Sequence, residues 1–188
     1  MSISLVKGQK INLSKEVQGL SKVIVGLGWD AAKRGFFSRA IDLDASAIVL
    51  GDKDQYLDTI YYGKRNYVDG VINHHGDNLT GEGEGDDEQI TVNLQAMPDK
   101  VKKIVFVVNI YDCVSRNQDF GMIKNAFIRL VDTSTNKEIC KYNLTENYAG
   151  KTAMIFAEVY KRDGEWKFNA VGQGSSATSI TKLANMYR

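Results

Sequence analysis

The sequence predicts a mainly β fold, a β-sandwich of two sheets with a C-terminal helix. Three observations favour it: apolar residues that alternate with period two, turn signals between many short segments, and a single clear helical pattern at the end. Residues 88–96 show the alternation best, because Ile90, Val92 and Leu94 are separated by polar side chains. This pattern is typical of a strand with one buried face.

Other strands follow from the same reasoning. Residues 22–29 put Val23, Val25, Leu27 and Trp29 on one face, whereas residues 103–111 are apolar on both faces. We therefore expect 103–111 to be a central strand covered on both sides. Asp163-Gly164 predicts a tight hairpin between 153–162 and 165–172. Further strands are expected near 3–6, 10–13, 40–50, 58–62, 68–73, 124–132 and 138–143.

The predicted helix lies near the C-terminus. Ile180, Leu183, Ala184 and Tyr187 recur at the spacing of one helix face, and residues 175–179 offer N-cap candidates. No internal repeat or linker divides the chain, so a single domain spanning 1–188 is expected.

Composition limits the function classes. The net charge of +1 gives no overall field that would attract nucleic acid or an anionic membrane. The N-terminus lacks the apolar stretch of a signal peptide, and no run of 18 apolar residues occurs, which predicts a cytoplasmic protein. The spacing of Cys113 and Cys140 matches no zinc or redox motif, so buried free thiols are expected.

An acidic, glycine-rich segment covers residues 76–88, with six acidic residues and no basic one. Its side chains and free carbonyl groups are the oxygen ligands that calcium prefers, and its glycines would let the backbone turn those carbonyls inward. The side chains that suit this demand are Asp77, Asn78, Thr80, Asp86, Asp87 and Glu88. The alternative is a solvated acidic turn. The spacing departs from an EF-hand loop, and the segment lacks the lysine of a phosphate-binding loop.

A second acidic element lies at residues 41–46. On a strand, Asp42 and Asp44 would project from one face with Ser46 following them. They either lie on an exposed face or share a cation. Asp30 follows another predicted strand and could converge on the same place.

These segments resemble the TerD-like tellurium-resistance and stress-response family. The resemblance rests on 26–30 (Gly-Leu-Gly-Trp-Asp), 42–47 (Asp-Leu-Asp-Ala-Ser-Ala) and the acidic segment 76–88, with further blocks at 120–122, 125–130, 164–168 and 170–174. It covers roughly residues 1–174 in the family's order. Residues 31–40 depart from the pattern by carrying Lys33, Arg34 and Arg39, and the stretch after Gly174 lacks a glycine-rich continuation.

The resemblance implies a β-sandwich that binds two adjacent calcium ions and has a non-catalytic sensing or scaffolding role. The implied ligands are Asp42, Asp44, Asp77, Asp86, Asp87 and Glu88, with main-chain carbonyls near Leu79 and Gly81. It also implies other stress-response proteins as partners and allows peripheral association with a membrane. The sequence specifies no oligomeric state.

Two other functions fit parts of the sequence. Clustered carboxylates would suit a metal-dependent phosphoester hydrolase, with His74 or His75 as an acid or base and Arg116 or Arg129 as a clamp. A direct tellurite binder would use the two cysteines, although scattered thiols do not make a soft-ion site.

Overall fold

The computed structural model describes residues 2–31, 41–76 and 85–188, with Ala31 as backbone only. Strands dominate these residues. They are β1 Ile3–Leu5, β2 Lys10–Asn12, β3 Lys22–Ala31, β4 Leu43–Leu50, β5 Tyr56–Ile60, β6 Asn66–Tyr67, β7 Ile72–His74, β8 Glu88–Asn93, β9 Lys103–Ile110, β10 Ile123–Asp132, β11 Lys137–Asn143, β12 Ala153–Arg162 and β13 Glu165–Ser175. The α-helices are α1 Leu13–Glu16, α2 Cys113–Arg116 and α3 Ile180–Ala184.

The strands form two sheets, which confirms the β-sandwich. The first sheet has the order β1-β11-β10-β3-β8-β7-β6, and the second has the order β2-β13-β12-β9-β4-β5. Pairing is antiparallel except between β1 and β11. The chain passes repeatedly from one sheet to the other, so residues distant in sequence become neighbours.

Alternation in each strand builds the main core between the sheets. In β3, Val23, Val25 and Leu27 are fully buried, and Ile90 and Val92 of β8 meet them from the neighbouring strand. Trp29, Phe106 and Trp166 are buried, whereas Phe127 is only partly buried.

The second sheet is covered on its outer face as well. Strand β9 lies between β12 and β4, and a second apolar cluster joins Val105 and Val107 to Leu183 of α3. This confirms both the central position of 103–111 and the C-terminal helix. Ser179 caps the helix by accepting a hydrogen bond from the Lys182 N–H at 3.3 Å.

The predicted tight turn is present, whereas several short elements differ from the prediction. Asp163 and Gly164 have positive φ angles of 56° and 78°, as the predicted hairpin turn between β12 and β13 requires. The strand predicted near 68–73 begins only at Ile72 of β7: Val68, Asp69 and Gly70 have positive φ angles and form the turn that separates β6 from β7. The short helices α1 and α2 were also not predicted, because four residues are too few for a periodic pattern.

Candidate functional site

The C-terminal end of the acidic segment is attached to the opposite sheet. Glu88 begins β8 in the first sheet, and its Oε2 accepts a hydrogen bond from the Ala45 N–H of β4 in the second sheet at 2.8 Å. The Glu88 side chain is 1% exposed. The acidic segment is thus joined to the residue that follows Asp44.

His74 completes this junction. Its Nε2 lies 3.0 Å from the Ala45 carbonyl oxygen and 3.4 Å from Glu88 Oε2, while its Nδ1 accepts the Gly76 N–H at 3.1 Å. Because Nδ1 is an acceptor, the ring proton lies on Nε2, which donates toward the two oxygens. His74 therefore holds the N-terminal end of the acidic segment, and Glu88 holds its C-terminal end.

The register of the second sheet explains why the Ala45 N–H and C=O can bond to side chains of the first sheet. Strand β5 pairs with β4 only from Ala47 onward, opposite Ile60. Ala45 lies two residues earlier, so its N–H and C=O on that side have no neighbouring strand among the residues that the structure describes. Side chains from the first sheet bond to these groups instead, because a buried peptide group needs a partner.

Asp86 points to the outer face of the first sheet. Arg129 of β10 and Gln89 of β8 both pair with Gly26 of β3, so the three residues form one row across the sheet. The Asp86 carboxylate lies over Gly26 and would overlap any Cβ added there. A glycine is therefore required at this position for close approach.

Arg129 binds this carboxylate with a two-pronged contact. Its Nε and Nη2 donate to Asp86 at 2.7 and 3.1 Å, and Gln89 donates to Asp86 Oδ2 at 3.0 Å. Arg129 also contacts Glu138 at 3.3 Å. The side chain of Asp86 is 1% exposed, and hydrogen bonding to Asp86 raises the pKa of Arg129. Asp86 therefore forms a buried, charge-assisted pair.

Asp87 experiences a different environment. Its Oδ2 accepts the Trp29 N–H at 2.7 Å, and its own N–H donates to the Leu27 carbonyl at 2.8 Å. Burial raises the pKa of the Asp87 carboxyl, the Trp29 hydrogen bond opposes this, and the charges of Asp30 and Asp86 raise it further. Like charges are thus gathered around Asp87.

Asp44 lies on the outer face of the second sheet. Its Oδ2 accepts a hydrogen bond from the Asn109 amide at 3.3 Å, directly across the β4–β9 pair. Ser46 shares this face, as the alternation predicts. The Asp42 carbonyl accepts the Tyr111 N–H at 2.8 Å at the start of the same pair.

The predicted ligands therefore reach three surroundings. Asp86 and Asp87 lie by the first sheet, Glu88 lies between the sheets, and Asp44 faces outward from the second sheet. Asp77, Leu79 and Gly81 lie outside the described residues, as do Lys33, Arg34 and Arg39. Within 2–31, 41–76 and 85–188, no three His, Cys, Asp or Glu side chains group as a metal site.

The sequence suggested Arg129 only as a clamp and His74 only as an acid or base of a hydrolase, and it predicted neither of the contacts described above. The signal for Arg129 was present in β3, where glycines at 26 and 28 interrupt an apolar strand and leave room on one face. No local signal connects His74 to Ala45, because that contact depends on where β5 ends.

Both cysteines are buried free thiols, as expected. Burial raises the pKa of Cys140 to about 12, with a further contribution from the charge of Glu138. This thiol therefore stays protonated near neutral pH, and a protonated thiol is a poor ligand.

Comparison with known proteins identifies the family. The sequence profile described as the TerD domain matches residues 1–187. The chain belongs to the TerD family. TerD-family relatives include stress response protein SCP2 of Bacillus subtilis (strain 168), 51% identical over 198 residues that cover 100% of both chains. Another is the tellurium resistance protein TerD of Serratia marcescens, 48% identical over 177 residues, or 93% of this chain and 91% of that protein.

Solved structures share the TerD-family fold. A crystal structure of a protein of unknown function superposes with a TM-score of 0.74 at 25% identity, covering 90% of this chain and 98% of that one. A homologue of a telluride resistance protein from Streptomyces coelicolor A3(2) gives a TM-score of 0.72 at 21% identity, with coverage of 90% and 99%. No helix within the described part of the chain is long and apolar enough to cross a membrane.

Proposed function

We propose that this TerD-family chain binds calcium through its acidic segment 76–88, and that the bound ions serve a non-catalytic role in the stress response. Two ions are expected, with ligands from the acidic segment and from the Asp42 and Asp44 strand. The relatives' names state stress response and tellurium resistance, and the proposal adds calcium as the ligand.

One observation carries the proposal. The hydrogen bond from the Ala45 N–H to Glu88 joins two acidic segments that are 43 residues apart in sequence and belong to different sheets. Asp44 precedes Ala45, and Asp87 precedes Glu88, so both blocks meet at one end of the sandwich. The Asp44 side chain itself faces outward from the second sheet, whereas Asp30 and Asp86 lie near Asp87 at the first sheet. Holding these three carboxylates near one another has an electrostatic cost that a cation would offset.

The surroundings of Asp87 supply the electrostatic argument. Its pKa is raised by burial and then by the charges of Asp30 and Asp86, so the ionised form is disfavoured where it lies. A calcium ion would reverse that effect, because a nearby cation favours the carboxylate. Oxygen groups without thiolates suit a hard cation.

The described carboxylates fit this function unequally. Asp87 fits best as a ligand. Asp86 is held by Arg129, and Glu88 is held by Ala45 and His74, so these two residues anchor the segment as well as offering oxygens. Because the described residues do not group three ligands, the sites require residues 77–84, which include Asp77, Leu79 and Gly81.

The non-catalytic part of the proposal rests on the groups that a hydrolase would need. His74 is buried and bonded at both ring nitrogens, and His75 contacts Thr91 at 2.6 Å on the surface. Arg129 is occupied by Asp86 and Glu138. Neither His74 nor Arg129 is available as an acid, a base or a clamp at this end.

Tellurium resistance in the relatives does not require a soft-ion site in this chain. Cys140 is buried and its pKa is raised, which argues against direct tellurite capture by thiolate. In a tellurite-sensitive strain complemented with this gene, replacing both cysteines with serine should leave tolerance unchanged. Loss of tolerance, with the variant still folded, would support direct capture.

Calorimetric titration of chelator-stripped protein tests the proposal. Calcium should bind saturably with about two ions per chain, while magnesium should compete weakly because it retains its waters and demands stricter geometry. A matched pair of variants is Asp87→Asn and Asp163→Asn, the latter in the exposed hairpin turn. Binding lost only in Asp87→Asn supports the site; absence of calcium binding by the wild type means a solvated acidic turn.

A further inference from the structure

The last three acidic residues of the acidic segment point in three directions. Glu88 begins β8 with its side chain between the sheets, on the same face as Ile90. Regular alternation would turn the residue at position 86 to that face as well. The Asp86 carboxylate instead lies over Gly26 on the outer face of the first sheet. Asp86 and Glu88 therefore hold the chain from opposite faces of this sheet, and Asp87 lies between them.

Both oxygens of the Asp86 carboxylate already accept hydrogen bonds. Oδ1 accepts from Arg129 Nε at 2.7 Å, and Oδ2 accepts from Arg129 Nη2 at 3.1 Å and from the Gln89 amide at 3.0 Å. The Asp86 side chain is 1% exposed. A calcium ion bonded to this carboxylate would have to displace at least one of these donors. It would also lie beside the guanidinium, whose positive charge repels it.

We propose that Arg129 is a positioning residue of the calcium site, and that the Asp86 carboxylate stays bound to Arg129 when calcium is present. This role rests on the proposed function and narrows its ligand set, because it removes the Asp86 side chain from that set. Arg129 neutralises one acidic side chain of the segment and fixes the backbone from which Asp87 extends. The two neighbours of Asp87 in sequence then direct it toward the ion.

The position of the Asp86 carboxylate depends on geometry as well as on charge. Two parallel N–H bonds from one guanidinium fix the orientation of a carboxylate, which a lysine ammonium cannot do. Arg129 Nη1 lies 3.3 Å from Glu138 Oε2, so the guanidinium is itself held from a second side. Beneath the carboxylate, a Cβ at Gly26 would overlap Asp86. Substitutions at 129 and at 26 can therefore disturb the same contact from opposite sides.

Calorimetric titration with calcium tests the positioning role. Arg129→Lys keeps the positive charge and loses the paired N–H bonds, whereas Gly26→Ala displaces Asp86 without changing any charge. Each should bind calcium about tenfold more weakly than the wild type, with the same number of ions, as expected when a contact behind a metal ligand is lost. The control is Arg162→Lys in the exposed hairpin, where the side chain is 73% exposed, and it should bind as the wild type does.

The double variant Asp86→Asn/Arg129→Gln separates an anchor from a ligand. It removes one negative and one positive charge, so the net charge near the ion is unchanged. We expect it to bind the wild-type number of calcium ions with an affinity no more than about tenfold weaker. The matched variant is Asp87→Asn, which changes the next residue in the chain and should lose calcium binding.

The Arg129 Nε–H signal in a proton–nitrogen correlation spectrum reports the pair directly. A hydrogen bond to a buried carboxylate protects this proton from exchange with water. The signal that is absent from Arg129→Lys identifies Arg129. It should be present in chelator, persist in saturating calcium and weaken or disappear in Gly26→Ala.

Three results would overturn this role for Arg129. Loss of the Arg129 Nε–H signal on adding calcium would show that Asp86 moves to the ion. Loss of calcium binding, or of one ion, in the double variant would show that Asp86 is a ligand. Wild-type affinity in both Arg129→Lys and Gly26→Ala would show that the pair does not position the site. All three require a wild type that binds calcium, whereas a wild type that binds none would overturn the proposed function and this role together.

Discussion

The turn around Asp132 and the segment Asp86–Glu88 both place carboxylates at strand ends of the first sheet. The pKa of the carboxyl group shifts in opposite directions at Asp132 and at Asp87. Asp132 accepts hydrogen bonds from the Ser134 N–H at 3.0 Å and the Thr135 hydroxyl at 2.7 Å. Burial tends to raise its pKa, yet these donors outweigh burial and lower it. The pKa of Asp87 is raised, because burial and neighbouring carboxylates oppose its charge.

The difference separates structural carboxylates from a candidate ligand. The Asp132 carboxylate accepts hydrogen bonds from donors in its own turn, and the Asp86 carboxylate accepts them from Arg129. The Glu88 carboxylate accepts the Ala45 N–H and lies beside His74. Asp87 remains in a field of like charge. A carboxylate whose pKa is raised by burial and by neighbouring like charges is a candidate for a functional role.

Glu88→Ala should produce the largest loss of stability. It removes the acceptor of the buried Ala45 N–H and a neighbour of His74, which should cost about 3 kcal/mol in the free energy of unfolding. Urea unfolding in chelator measures this. Glu146→Ala is the control, since the Glu146–Lys7 pair is 48% and 43% exposed and should matter little. Equal effects of the two variants would contradict the anchoring role of Glu88.

Asp132→Ala should cost about 2 kcal/mol, because it leaves turn donors without their acceptor. The effect should depend on pH. A carboxylate whose pKa is lowered in the folded state stabilises the protein above its ordinary pKa, and that contribution disappears as the pH falls through the folded value. The gap between wild type and variant in urea unfolding should therefore narrow below about pH 4. A constant gap down to pH 2 would be inconsistent with this origin.

Arg129→Gln should cost about 1 kcal/mol, since the guanidinium is 31% exposed and partly screened, although Asp86 is buried. A double-mutant cycle with Asp86→Asn measures the coupling of the pair. We expect the double variant to be less destabilised than the two single effects added together. Additive effects would mean that the pair contributes no coupling energy.

Asp87→Asn should give the smallest effect and the opposite sign. In chelator it should stabilise the protein by less than about 1 kcal/mol, because an uncharged amide removes repulsion with Asp30 and Asp86 and can still accept the Trp29 N–H. As the pH falls through the raised pKa of Asp87, the difference in stability between Asp87→Asn and the wild type should narrow, since protonation removes the same charge from the wild type. Thermal unfolding in chelator measures both effects. Destabilisation by Asp87→Asn would contradict the claim that the surroundings of Asp87, unlike those of Asp132, oppose its negative charge.

Much of the fold follows from local patterns. The alternation in β3 and β8, the two apolar faces of β9 and the Asp163-Gly164 turn each specify their structure through neighbouring residues alone. The 68–71 turn escaped prediction because Val68 adopts a positive φ angle, which β-branched residues rarely do.

The site was less predictable because its contacts join distant strands. The acidic residues could be recognised in sequence, but not that Arg129 binds Asp86 or that Glu88 reaches Ala45. Those pairings depend on the β3–β10 register and on where β5 stops. The cavity lined by Asp44, Ser46 and Asn109 on the outer face of the second sheet depends in the same way on how far the C-terminal helix covers that sheet.

The most direct test of the central claim is thermal unfolding of chelator-stripped protein across a calcium series, for the wild type and for Asp77→Asn/Asp87→Asn. A ligand that binds only the folded state raises the melting temperature with its concentration. The proposal predicts that the wild-type melting temperature rises steadily with calcium while that of the double variant stays constant. An equal rise in both proteins, or no rise in the wild type, would contradict a calcium site at the acidic segment.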